Sequence, residues 1–394
     1  MKKLWIWLVL GLILRLLLMP VSLHPDFRAV NLAGFLIAQK GEILSFYDHL
    51  SRLPRTDQLV NLYGDNLFIY PPLAYITHGI FNFLFFRFYP QAAFWTLIND
   101  IGLLRQTAGF AALMIWLKLP YLLADLLCFW LLLVYTPLAK RHMLIWFWWF
   151  NPVVLYTCYL MGQFDIFISL FILISLLFSA KKPLVSAIFL GIAAGFKPFP
   201  LLLLPFVPGS KIKNIITGLG TYFLIIAPFL GSPAFKQYAL LASQTDKMFF
   251  ARIAISGSQY LPVFLIGLIL LYWWNYYSPG KLPVWGWFSA TLLLFYSLTH
   301  YHPQWFIWVM PVLVILVIKN SKFIFPVISL ILLHIGIVLF FETSLNFGLF
   351  GINYSLFTAV NSFYSADQLV SVLRALFFAT SASLVLSLVN EKSS

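Results

Sequence analysis

Asp26 sits in His24-Pro25-Asp26-Phe27, immediately after the first hydrophobic stretch, where a carboxylate would stand at a bilayer surface. A carboxylate within hydrogen-bond reach of a hydroxyl can take its proton and make it a nucleophile, a contribution of about 10²- to 10⁴-fold. The same position has a structural reading, because an Asp just before a helix over Arg28 to Lys40 would accept first-turn N–H bonds. Other ionisable residues lie in or beside apolar sequence, where insertion costs roughly 2.5 to 3.5 kcal/mol each. Asp125, in the middle of a long apolar run, is expected to pair with a buried cation such as Arg15. Asp165, in Gly162-Gln163-Phe164-Asp165, either contacts a substrate or caps the helix it precedes. Gln163 donates to a sugar hydroxyl or to a backbone carbonyl. Lys197, in Gly195-Phe196-Lys197-Pro198-Phe199-Pro200, stands where Pro198 disfavours helix for the residue before it. Broken membrane helices line cavities because their freed backbone groups need partners, so Lys197 is either a phosphate contact or a side chain snorkelling to the interface. His300 and His302, in His300-Tyr301-His302-Pro303-Gln304-Trp305, have no third zinc ligand near them in sequence. Hydrogen bonding to a phosphate or sugar then competes with interfacial anchoring by Tyr301, Trp305 and Trp308.

These residues must be positioned by membrane helices. The chain has 394 residues, 62% hydrophobic and 9% charged, where a water-soluble domain carries about 25% charged residues. Apolar runs of the roughly 20 residues needed to cross a bilayer recur almost end to end, which predicts an all-α polytopic membrane protein. The first, Leu4 to Met19 behind Lys2 and Lys3, imitates a secretory signal. Arg15 interrupts it and no small-residue cleavage site follows, so it reads as a retained helix. The net charge of +13 is spread over short loops rather than gathered in a patch, which argues for topology and against nucleic acid. Cys128 and Cys158 both fall in apolar runs and support neither a disulfide framework nor a zinc site.

With the amino terminus cytosolic, residues 21–113 form one long external segment and Met114 to Tyr135 make the second crossing. The cytosolic loops then collect Lys140, Arg141, Lys181, Lys182, Lys211, Lys213, Lys281, Lys319, Lys322 and Lys392. The opposite turns, Gly162 to Asp165, Tyr301 to Gln304 and Glu342 to Gln368, contain no Lys or Arg, in keeping with the positive-inside rule. The exception is Gly231 to Ser258, with Lys236, Lys247 and Arg252. Crossing by Leu73 to Phe88 would reverse every later loop, so this segment is expected to dip into the membrane or lie along it. Arg28 to Lys40, apolar at 29, 32, 33, 36 and 37, suits an interfacial helix. Leu184 to Phe196 and Pro198 to Val207 read as the legs of a short hairpin. One membrane domain over 1–394 is expected, comprising a first helix at 1–20, an external loop at 21–113 and the remaining helices at 114–394, with both termini cytoplasmic.

In order along the chain, His24-Pro25-Asp26-Phe27, Tyr70-Pro71-Pro72-Leu73, Leu119-Pro120 with Ala124-Asp125-Leu126, and Asn151-Pro152 with Gly162-Gln163-Phe164-Asp165 are followed by Gly195-Phe196-Lys197-Pro198 and His302-Pro303-Gln304-Trp305. This order resembles the GT-C superfamily of integral-membrane glycosyltransferases, closest to prokaryotic mannosyltransferase-like proteins. The resemblance implies a bundle of about 11 to 13 transmembrane helices with interfacial helices in the first external loop. It also implies a hexose, mannose-like, moved from a polyprenyl-phosphate donor to a lipid, glycan or protein acceptor on the extracytoplasmic face, with Asp26 as base; no cofactor is expected, and the lack of a second acid argues against a metal. Many relatives carry a second acid beside the first, which is absent here. One acid suffices when the leaving group is an already ionised phosphate, unlike glycoside hydrolysis. Arg28, Lys197, His300 and His302 are then the candidates for steadying that phosphate. Tyr70, Gln163, Asp165, Gln304 and Trp305 are the candidates for holding sugar or acceptor. A lipid-linked-sugar transporter or flippase is the leading alternative, and a structural or assembly subunit a third.

Overall fold

A computed structural model describes residues 2–241 and 243–391; Lys392, expected at the cytosolic end, lies outside them. Apolar sequence of helical composition gives an almost wholly helical molecule. Helix α1 (Lys2–Leu18) leads to α2 (Phe27–Gln39), α3 (Pro72–Phe85) and the long α4 (Phe110–Tyr135). After an irregular stretch come α5 (Asp165–Ser179), α6 (Pro183–Ala194) and α7 (Lys211–Ile226). A small antiparallel hairpin, β1 (Arg252–Ser256) and β2 (Gln259–Pro262), precedes α8 (Val263–Tyr277), α9 (Val284–Leu298), α10 (Met310–Lys319), α11 (Ile324–Val338) and α12 (Ala366–Glu391).

Among the described residues four helices are long and apolar enough to cross a bilayer: Phe110–Tyr135, Lys211–Phe229, Ser321–Val338 and Ala366–Asn390. Leu138–Trp149 with Pro152–Met161, bent by 44°, makes a fifth if read as one broken span, and six shorter apolar helices accompany them. The crossings expected from sequence are approached only when the shorter helices are counted. Pro, Gly and π turns interrupt runs over which hydropathy averages. The bend has a local cause. Pro152 cannot donate to the helix before it, and Asn151 covers the break by accepting from Val153 N at 2.8 Å and donating to Phe147 O at 3.0 Å.

The buried ion pair expected from sequence fixes α1 to α4. Arg15 Nε donates to Asp125 Oδ2 at 2.8 Å, and Asp125 also receives Trp148 Nε1 at 2.7 Å and Tyr159 Oη at 2.6 Å. Desolvated charges need such partners; Arg15 Nη1 adds bonds to Gly11 O and Trp149 O, while Nη2 meets no acceptor among the described residues. One helical turn from Arg15, Gly11 lets the Trp149 indole lie against α1; a Cβ there would stand 1.9 Å from Trp149 Nε1. At the far end of α1, buried Lys118 closes the chain by donating to Met19 O, Ser22 O and Tyr159 O, each at 2.8 Å.

Helix α2 corrects the reading of Arg28 to Lys40 as an interfacial helix. From Phe27 to Leu36 all residues except Arg28 are buried, including Asn31, whose amide turns back onto Phe27 O at 2.9 Å. The apolar stripe seen in sequence is one face of a helix covered on both, with α3 supplying the second cover; the Asn82 side chain and His78 backbone lie against Gly34, and Ile37 against Gly79. Helix α3 meets α4 near Trp116 and Tyr121. It lies beside the half of that helix that starts at Phe110.

Candidate active site

The loops without basic residues gather at one end of the bundle. Leu23 N donates to Leu349 O at 3.0 Å, Arg105 donates to Val21 O and Leu349 O, and Tyr156 Oη reaches Leu345 O at 2.6 Å. The Thr299 turn joins them through Arg374, and Ala251 N binds Leu298 O at 3.3 Å. At the other end, Lys140 Nζ donates to Ile318 O at 2.6 Å and Lys319 lies over Tyr135.

Asp26 lies at the first of these ends and does not cap α2. Its backbone is already helical and its side chain accepts no N–H from the first turn. Instead Asp26 Oδ2 receives Gln163 Nε2 at 3.0 Å and Tyr70 Oη at 3.4 Å. Protein surrounds it, yet 34% of its side chain stays accessible, so the carboxylate lines a recess. The Gln163 amide also donates to His24 Nδ1 at 3.1 Å, and Asp26 N reaches the same nitrogen at 3.2 Å. With two donors on Nδ1, the His24 proton belongs on Nε2. Burial lowers the His24 pKa below its ordinary value, in agreement with a neutral ring. Burial would raise the Asp26 carboxyl, but His24, the Gln163 hydrogen bond, Lys197 and His302 together outweigh it and hold it below the usual carboxylate value. Gln163 and Lys197 act even with the His24 and His302 rings neutral, and Asp26 is a carboxylate at neutral pH.

Gly162 aims Gln163. The segment Tyr156–Met161 ends on Gly162 at φ 66°, a left-handed turn that favours glycine. An added Cβ would stand 2.2 Å from the Phe27 ring, so the turn also presses the start of α2 into place.

Behind Asp26 stands a closed ion pair. Lys197 Nζ donates to Asp165 Oδ1 and Oδ2 at 2.7 and 2.9 Å, and Trp308 Nε1 donates to Oδ1 at 2.8 Å. Lys197 is buried and lies within 6 Å of the rings of Tyr70, Phe164, Trp305 and Trp308. It does not snorkel, and its charge is already taken. Asp165 is likewise no cap. Pro198 ends the helix before Lys197, and Gly195 O, left without a helical partner, accepts Leu73 N at 3.0 Å; this docks the Tyr70-Pro71-Pro72 corner against the break.

Several other expectations are corrected. Tyr301, Trp305 and Trp308 are buried rather than interfacial, and Tyr301 Oη meets His334 Nδ1 at 3.1 Å. Arg28 turns away to Tyr63, 4.8 Å over its ring. His300 and His302 diverge. His300 lies against Phe250 and Phe341, while His302 packs 5.4 Å from Trp305. Burial, with Lys247 and Lys197 nearby, pushes the His302 pKa down to about 3, so its ring is neutral. Gln304 is buried, with an Oε1 that meets no donor among the described residues. No three His, Cys, Asp or Glu side chains converge as metal ligands among those residues.

Two lysines escaped the sequence reading. Nothing marked Lys118, because a cation satisfied by backbone carbonyls leaves no partner to find in sequence. Lys247 had a signal, the one stretch that broke the charge rule. Its Nζ lies 4.9 Å from the Trp305 ring, beside the recess.

Fold and site together define a polytopic all-α membrane protein with an ionised, part-open carboxylate at one end of its bundle. The family model described as "PIG-U: GPI transamidase subunit PIG-U" matches residues 60–310, and the chain belongs to that family. The match takes in Tyr70, Gln163, Asp165, Lys197, Lys247 and the His300 to Trp305 turn, and begins after Asp26. No curated protein and no solved structure matches.

Proposed function

We propose that the chain is a GT-C-type glycosyltransferase that moves a hexose from a polyprenyl-phosphate donor to an acceptor hydroxyl on the extracytoplasmic face, with Asp26 as general base. Asp26 takes the acceptor proton as the acceptor oxygen attacks the sugar C1. The C1–O bond to phosphate breaks on the opposite face, the phosphate leaves with the electron pair, and C1 is inverted. The observation that carries this reading is a carboxylate held by Gln163 and Tyr70, with a third of its side chain accessible, rather than consumed as a helix cap. The aromatic surround of Tyr70, Phe164 and Trp305 suits a sugar face.

A second reading has its own support, since the matched family is described as a transamidase subunit. Here the same recess holds a glycolipid and makes no bond. The test is Asp26→Asn in proteoliposomes supplied with polyprenyl-phosphate sugars. Transfer should fall by about 10²-fold or more, with the thermal unfolding of the purified protein unchanged. Undiminished turnover in Asp26→Asn removes the base. Wild-type protein that retains glycolipid but forms no product favours the subunit reading.

A further inference from the structure

Resting on the transferase reading, we propose that the donor's phosphate is seated by Lys247, the ring N–H of His302 and the indole N–H of Trp305, and that Lys197 does not contact it. Lys197 is already paired, because both Asp165 oxygens take two of its three ammonium donors and balance its charge. Lys247 stands in the opposite condition. Among the described residues its ammonium meets no carboxylate, and it faces the Trp305 ring at 4.9 Å with Lys197 and His302 also within electrostatic reach. Partial burial and the like charge on Lys197 both disfavour its protonated form, drawing its pKa down to about 8. A cation left beside another cation in a desolvated recess is relieved by an incoming anion.

The surrounding donors match that anion. Trp305 is 1% exposed and its Nε1 has no acceptor among the described residues. A buried indole N–H normally finds a partner. The neutral His302 ring, 5.4 Å from Trp305, carries one N–H of its own. An ammonium and two neutral N–H donors around one indole suit the oxygens of a phosphate. Asp26, ionised and within electrostatic reach of His302, repels that anion, which keeps it available to the acceptor hydroxyl.

The test uses the full-length protein in nanodiscs, with polyprenyl phosphate bound and read by native mass spectrometry. Lys247→Ala should weaken binding about 10- to 100-fold, and Lys247→Arg should keep most of it. Lys236→Ala, an exposed lysine of the same connection, should bind as wild type. If Lys247→Ala fails to fold, Lys247→Gln reads the same loss. Inorganic phosphate and phosphatidylglycerol serve as competitors. Binding that resists both competitors assigns the polyprenyl carrier, and displacement by inorganic phosphate assigns the phosphate group itself, both supporting the seat; displacement by phosphatidylglycerol alone marks a general lipid site and overturns it. Binding indifferent to Lys247, or lost equally in Lys236→Ala, overturns it. The two proposals fail separately. Lys247-dependent binding without transfer by wild type removes the transferase reading alone, and transfer with Lys247-independent binding removes the phosphate seat alone.

Discussion

A buried charge is worth keeping only with its counter-charge, and Asp165–Lys197 shows how this shapes the recess. Both side chains are almost fully buried. Substituting Lys197→Met would strand a carboxylate whose remaining donor is Trp308, at a cost of about 3 to 5 kcal/mol. The expected outcome is a marked fall in the unfolding temperature in detergent, with most of it recovered in Asp165→Asn/Lys197→Met. A double variant as unstable as the single would mean that Lys197 supports the fold through its aromatic neighbours instead. Residue by residue, the sequence revealed those pairs whose logic is one of absence. Asp125 in an apolar span demands a cation, and Arg15 is the cation available. It did not reveal the orientation of Asp26. Capping and catalysis use the same residue type at the same place, and only Gln163, 137 positions away, separates them.

At the scale of elements, the site depends on interruptions in helices more than on the helices themselves. Asn151-Pro152 bends one span, Gly162 turns the chain to deliver Gln163, and Pro198 opens the gap into which Leu73 donates. Proline and glycine announce such breaks in sequence, which is why the broken hairpin at Lys197 was legible. What fills a break is set by contacts between distant segments. The covered α2 is the clearest case, since a stripe of apolar residues predicts one buried face and cannot show that α3 covers the other. The Gly162 turn is directly testable. Gly162→Ala carries a left-handed penalty of about 1 to 2 kcal/mol plus the overlap with Phe27. It should lower the unfolding temperature and displace Gln163, so that transfer falls further than stability does. Adding Phe27→Leu should return part of the stability, because it relieves the overlap but not the backbone strain. Unaltered stability in Gly162→Ala would mean that the turn is not held in this conformation.

The whole molecule has two ends of opposite character, and this polarity ties the chemistry to one side of a membrane. Asp26, His302, Lys247 and the loops without basic residues share one end; Lys140 and Lys319 share the other. Loops rich in Lys and Arg are retained in the cytosol, so the Asp26 recess is expected to open outside, where a carrier-borne sugar would meet its acceptor. Hydropathy alone could not have given this, because counting α3 as a crossing would reverse every later loop. Helix α3 packs along α2, and the side on which the later loops lie is what labelling decides. The expectation can be tested with little background, since Cys128 and Cys158 are both fully buried. Pro25→Cys and Lys181→Cys, at exposed positions near the two ends, should then respond oppositely to a membrane-impermeant maleimide applied to intact cells. Residue 25 should label at once and residue 181 only after the membrane is opened. The reverse order would turn the Asp26 recess toward the cytosol. The carboxylate would then face a compartment where an externally presented polyprenyl-phosphate sugar is absent, and the proposed transfer could not occur there however well Asp26 is poised.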